Sequence, residues 1–173
     1  MRYFLSLLIV CFATSICSAQ KLVDGTVIVW ENGNYLNIIQ QQTGSNFTHV
    51  GIVLYDDEEQ PWVYEASKPD VHRYTWKEYD KRIRLEYKQR PDLRIHLLPP
   101  SKPYTEKQLL AMKKYANRCL GVPFGVKSYL SGKPSNTMHC CEYVGNILSC
   151  SGKYKTLGPR ENPKTIYEGA SKL

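Results

Sequence analysis

The sequence predicts a single small α+β domain, and three observations carry that prediction. Short runs rich in Val, Ile and Tyr, bounded by Gly, Pro, Asn and Asp turns, fill the first part of the chain. Two segments with apolar residues at helical spacing follow in the last part. No internal repeat, low-complexity tract or linker divides the 173 residues. Strands followed by helices collected on one face describe an α+β layer architecture.

The N-terminus is set apart by composition. Arg2 precedes an apolar stretch from Tyr3 to Ile16, which leads into Cys-Ser-Ala-Gln at Cys17 to Gln20. Charge, apolar core and small-residue exit are the parts of a secretory signal peptide, so residues 1–19 are expected to be removed and residues 20–173 to form the domain. The apolar stretch is too short for a comfortable membrane span, and the residue before Cys17 is not the small one a lipoprotein signal requires. A secreted or periplasmic product without stable membrane insertion is the expectation. Loss of Arg2 takes the formal net charge from +7 to +6. That balance suits anionic surroundings or a solvated lysine-rich face equally. No basic stripe with interleaved aromatics marks a nucleic-acid groove.

Gly25 to Gly33 reads as a first strand closed by a turn, and Asn34 to Gly44 as a short helix stopped by glycine. "THVGIVLY" and "WVYEA" flank the acidic turn "DDEEQP" and read as a hairpin. "VHRY" is a further strand, and "TWKEYDKR" a short amphipathic turn or helix. Leu93 to Pro100 reads as a strand stopped by two prolines. The clearest helix begins at Thr105, which forms a capping box with Gln108; Leu109, Met112, Ala116 and Cys119 make its apolar face, and Gly121 suits its stop. A second helix begins near Cys140, with Val144, Ile147 and Leu148 facing inward.

Cys119, Cys140, Cys141 and Cys150 remain after signal removal, and four cysteines allow three full pairings. Cys140 and Cys150 on one helix would stand about 15 Å apart at about 1.5 Å per residue, too far for a bridge. Cys119 with Cys150 is the expected pair. Neither H-E-x-x-H nor paired C-x-x-C spacing occurs, so neither metal nor cofactor is expected.

One histidine is out of keeping with its surroundings. His49 heads a run of valine, isoleucine, leucine and glycine, where imidazole needs partners for both nitrogens or a chemical task. Cysteine hydrolysis needs a thiolate, a base, and a third group that fixes the base. Cys140 falls at a helix start, where the helix dipole favours thiolate. Glu65 lies on the other arm of the hairpin, and an even register puts it on the face of His49 while an odd one sends it away. Blander readings stand beside these: Cys140 as a buried structural thiol, Glu65 as a solvated strand-edge charge, and Cys141 as core. His139 could replace His49 as base, and His72 and His96 read as plain strand residues.

"DGTVIVW", "THVGIVL", "WVYEA", "GVPFG" and "CCEYV" occur in the order of the permuted papain-like amidases of the YaeF/YiiX kind, and the chain resembles that NlpC-like family over most of residues 24–150. The resemblance implies a circularly permuted papain-like fold, with Cys140 as nucleophile, His49 as base and Glu65 as the polar third member. It further implies a small amide or peptide substrate, including cell-wall peptides. The same fold resembles lecithin:retinol acyltransferase-like enzymes, which brings in acyl transfer and thioester or lipid hydrolysis, and a binding module without catalysis is the third possibility. Three positions depart from the family pattern: Asp24-Gly25 is reversed, Cys141 stands where serine is usual, and Gly125 where an acidic residue often follows the "P-F" pair.

Overall fold

A computed structural model describes residues 22–34 and 36–173. The expected signal peptide lies outside the described residues. The strands are β1 (Val27–Glu31), β2 (Phe47–Tyr55), β3 (Pro61–Ala66), β4 (Val71–Thr75) and β5 (Arg94–Leu98). The helices are α1 (Leu36–Thr43), α2 (Trp76–Gln89), α3 (Glu106–Arg118), α4 (Lys127–Ser131), α5 (Cys140–Ser149) and α6 (Pro163–Ala170), with one 3₁₀ turn at Gly158–Arg160. The strands form one open antiparallel sheet in the order β4-β3-β2-β1-β5. Among the described residues, no helix is long and apolar enough to cross a membrane.

Two apolar layers sandwich this sheet. Val27, Val29, Val50, Ile52, Leu54 and Tyr64 point to one face and meet Met112 and Ala116 of α3, Val144, Ile147 and Leu148 of α5, and Ile166 of α6. The alternate residues Ile28, Trp30, Val53 and Val63 point to the other face and meet Tyr79 and Ile83 of α2. Alternation along each strand is what lets β1 and β2 read as almost unbroken apolar runs, since both faces are covered. Helices on both faces correct the expectation of helices on one.

The cause lies in α2. The sequence reading allowed only a short turn or helix there, yet Thr75 and Glu78 form a complete capping box and start a helix of 14 residues. Tyr79 and Ile83 on its buried face then close the second layer, where Tyr79 Oη accepts a hydrogen bond from Trp30 Nε1 at 2.9 Å. The helix at Thr105 keeps its capping box with Gln108, and Gly121 follows it with φ of 82°. Cys119, Cys140, Cys141 and Cys150 are all free thiols, so the expected Cys119–Cys150 bridge is not formed.

The segment Gly121 to Gly125 has a structural task. Val71 N donates to Val122 O and Gly121 N to Val71 O, each at 2.8 Å, which fastens this loop along the outer edge of β4. Phe124 then bridges Met138, the residue that leads into His139 and Cys140. A Cβ on Gly125 would stand 2.7 Å from Thr137 Oγ1, so glycine is what allows the two passes of chain to close up. The edge loop thereby fixes where α5 starts.

Candidate active site

β2 and β3 pair with Ile52 opposite Tyr64 and Val53 opposite Val63, an even register. That register places Glu65 on the face of His49, diagonal to it, and the two side chains meet: His49 Nε2 lies 2.8 Å from Glu65 Oε2. Gly51 lies opposite Glu65 on that face, where an added Cβ would stand 3.3 Å from Val63 Cγ1 and in ordinary contact with Glu65 Cβ at 3.7 Å.

Glu65 is not a solvated strand-edge charge. Its side chain is 0% exposed, and four donors surround it. Oε2 takes His49, while Oε1 takes Arg82 Nη1 at 2.6 Å, Ser67 Oγ at 3.0 Å and His72 Nε2 at 3.3 Å. Burial alone would raise its pKa, but His49, His72 and Arg82 together hold the carboxylate well below its usual range. His72 therefore does more than fill a strand: it stands between Glu65 and Asp70, whose Oδ1 lies 3.3 Å from Nδ1, and its pKa is raised. Arg82 closes the segment "TWKEYDKR" that the sequence marks as a short turn or helix, but its reach to Glu65 depends on how α2 packs across the sheet; the Thr-x-x-Glu cap at Thr75 is the signal that places a full helix there.

His49 faces two groups of opposite demand. With Nε2 on Glu65, Nδ1 is the nitrogen left to face Cys140, whose sulfur is close enough to favour the protonated ring. Burial works against imidazolium, but the Glu65 carboxylate and Cys140 outweigh it and raise His49 to about 10. Cys140 moves the opposite way. Its pKa falls well below the ordinary thiol value, chiefly through the Cys141 thiol 3.6 Å away, with His139 and His49 adding to it against burial. Cys141 is pushed up, by burial first, then by its hydrogen bond with Cys140 and the charge there. The thiol nearest a thiolate state is thus Cys140, and Cys141 is buried beside it.

His139 is the N-cap of α5. Its Nδ1 accepts from Glu142 N at 3.4 Å, and its Nε2 lies 3.1 Å from the Pro159 carbonyl, to which it donates. Both ring nitrogens thus have backbone partners, in contrast to His49, and the ring borders Cys140 without a carboxylate as close as Glu65 is to His49. Glu142 Oε2 is 3.8 Å from His139 Nε2 and accepts from Ser128 Oγ at 2.7 Å. His96 pairs with Glu31 at 2.8 Å, away from these groups.

These side chains open on a cavity of about 480 Å³. His49, Arg82, His139, Cys140 and Cys141 lie on its wall. Ile39, Phe124, Val126, Tyr129 and Leu130 supply an apolar side. Donor atoms of His139, Cys140 and Cys141, which carry no familiar metal-site spacing, all lie within 4.8 Å of one another. Three consecutive residues at a helix start reach this arrangement because the first one is the cap and stands outside the helical turn.

Neither a family model nor a curated protein sequence matches the chain. Among solved structures, it is similar to the crystal structure of the metalloprotein YiiX from Escherichia coli O157:H7, described as DUF1105, at 18% identity and a TM-score of 0.57. The likeness covers 74% of this chain and 66% of that one, and it shows a shared YiiX-like fold.

Proposed function

We propose that this protein is an exported cysteine hydrolase of the permuted papain-like type that cleaves an amide bond in a small or peptide substrate, cell-wall peptides included. The observation that carries the reading is His49 placed between the buried Glu65 carboxylate, at 2.8 Å, and the Cys140 sulfur at the start of α5. A nucleophile, a base and a group orienting that base are the parts acyl transfer needs, in the order it needs them.

In this reading, Cys140 Sγ attacks the substrate carbonyl carbon. Backbone N–H groups in the first turn of α5, which have no intrahelical acceptor, hold the developing oxyanion. The C–N bond breaks and His49 gives its proton to the departing amine, leaving an acyl thioester on Cys140. Water then attacks the thioester carbonyl while His49 takes its proton, and the acid leaves as the Cys140 sulfur is released. Glu65 holds His49 Nε2–H throughout and balances the imidazolium.

A second reading is acyl transfer or hydrolysis of a thioester or lipid ester, and the apolar wall of Ile39, Phe124, Val126 and Leu130 beside Cys140 favours it. Purified protein assayed against muropeptides, N-acyl amides, acyl thioesters and phospholipids separates the two. Turnover that disappears in both Cys140→Ala and His49→Ala supports the hydrolase. Failure on all four classes, together with a Cys140 thiol no more reactive than free cysteine, would leave the fold as a binding module.

A further inference from the structure

We propose that His139, Cys140 and Cys141 form a binding site for a thiophilic divalent cation, zinc in the first instance, with Cys140 Sγ, Cys141 Sγ and His139 Nδ1 as its ligands. The proposal is independent of the hydrolase reading, because it concerns an equilibrium with a metal ion and not turnover.

The distances fit the ion. Zinc takes thiolate sulfur at about 2.3 Å in tetrahedral geometry, so two sulfurs on one ion stand about 3.75 Å apart. Cys140 Sγ and Cys141 Sγ are 3.6 Å apart already. The histidine donor lies within 4.8 Å of both, and a side-chain adjustment of about 1 Å brings it to the separation that Zn–S of about 2.3 Å and Zn–N of about 2.0–2.1 Å require.

The surroundings fit as well. A histidine that ligates a metal through one nitrogen usually donates its other N–H to a carboxylate or a backbone carbonyl, which fixes ring and tautomer. His139 Nε2 already makes that bond to Pro159 O at 3.1 Å. Its Nδ1 lone pair is then turned to the helix start, where it accepts only the long 3.4 Å bond from Glu142 N, a small loss on exchange for a metal. Cys141, 2% exposed, has Cys140 as its sulfur's one hydrogen-bonding neighbour among the described residues. The cavity on whose wall all three residues lie gives the ion a route in and leaves the fourth position for water or a ligand. Binding displaces the Cys141 thiol proton and occupies the Cys140 sulfur, so a bound ion and a substrate acyl group on Cys140 exclude one another.

The test uses the reduced, metal-stripped protein and Zn²⁺ alone, titrated in competition with a chromogenic chelator, with Co²⁺ as a spectroscopic substitute. Expected are one equivalent bound and thiolate-to-cobalt charge-transfer bands with the visible absorption of a tetrahedral site. Cys141→Ser should weaken zinc by more than the roughly 10–100-fold that loss of a mere outer partner costs, and cut the charge-transfer intensity by about half. His139→Gln should weaken it while leaving that intensity in place. Cys119→Ser and Cys150→Ser should bind as wild type. Thermal melts verify each variant's fold, and in wild type Zn²⁺ should shield both Cys140 and Cys141 from iodoacetamide, a readout that needs no variant. No binding by wild type, binding unchanged in a folded Cys141→Ser, or binding lost in Cys119→Ser or Cys150→Ser would each overturn the site.

Discussion

Glu65→Gln is the substitution that most sharply tests how the buried network works. The carboxylate accepts on both oxygens, but a glutamine has one acceptor and one NH₂. On one side stand Arg82, Ser67 and His72, and on the other stands His49 alone. Arg82 cannot give up a proton or accept a hydrogen bond, so an NH₂ turned toward it at 2.6 Å is donor against charged donor. A hydrogen bond to a charged group is worth about 1.5–3 kcal/mol, whereas imidazole can change tautomer and accept instead. The amide oxygen therefore goes to Arg82 and the NH₂ to His49 Nε2. Imidazolium is then disfavoured, and the neutral ring keeps its proton on Nδ1, facing Cys140, where it cannot take another. The expected loss in kcat/KM is about 10³–10⁴-fold, or about 4–5.5 kcal/mol, as the equivalent carboxylate-to-amide exchange in a serine-protease triad costs about 10⁴ through the wrong tautomer. Without the second group of donors around Oε1, an amide could still accept the ring N–H and Glu65→Gln would hurt less than His49→Ala. The assay is kcat/KM on the substrate found by screening, paralleled by the iodoacetamide rate at Cys140, with melts as the control. Adding Arg82→Met frees the amide to turn its oxygen to His49 and should recover about tenfold or more over Glu65→Gln. A folded Glu65→Gln within tenfold of wild type refutes the tautomer argument. A folded double variant no faster than Glu65→Gln refutes the part given to Arg82.

Other outcomes follow from the same geometry. His49→Ala should lose about 10²–10⁴-fold in turnover with its fold intact, measured by kcat/KM and circular dichroism melts; retained turnover would move the base to His139. In chelator-treated protein, brief iodoacetamide labelling and peptide mapping should find Cys140 modified ahead of Cys119, Cys141 and Cys150, and at pH 6 as well as pH 8, since its thiol is held well below and Cys141 above the ordinary range. Glu65 is depressed in the folded state, so its share of stability is present above the unfolded carboxylate pKa of about 4.3 and lost as pH falls through the lower folded value. Wild-type Tm should therefore drop more steeply below about pH 4.5 than that of Glu65→Gln, and equal slopes would count against a charged Glu65. Gly25→Ala should lower stability by about 1–3 kcal/mol, read as Tm, because φ is 87° there and a Cβ would stand 2.4 Å from Tyr104 Cε2.

Much of the fold was legible because local physics dictates it. Val27 to Glu31, the hairpin after Thr48, the Thr105 helix and the helix at Cys140 each carry an apolar period and a cap or turn, and each forms where those signals stand. Helices α2 and α6 carry signals too, Thr75 with Glu78 and Asn162 before Pro163, and these caps are read only if they are sought. The residue types at the site were equally visible, since a histidine heading an apolar strand and a cysteine opening a helix are local oddities. Which residues meet was not legible. The even register of β2 and β3 is set by how both faces of the sheet are covered, and a slip of one residue would have turned Glu65 away from His49. Arg82 and His72 reach Glu65 from separate elements, and the Gly121 to Gly125 loop places α5 against β2 through contacts distant in sequence. The charge states of His49, Glu65 and Cys140 depend on burial and on neighbours a few ångströms away, quantities that exist only once the chain has closed on itself.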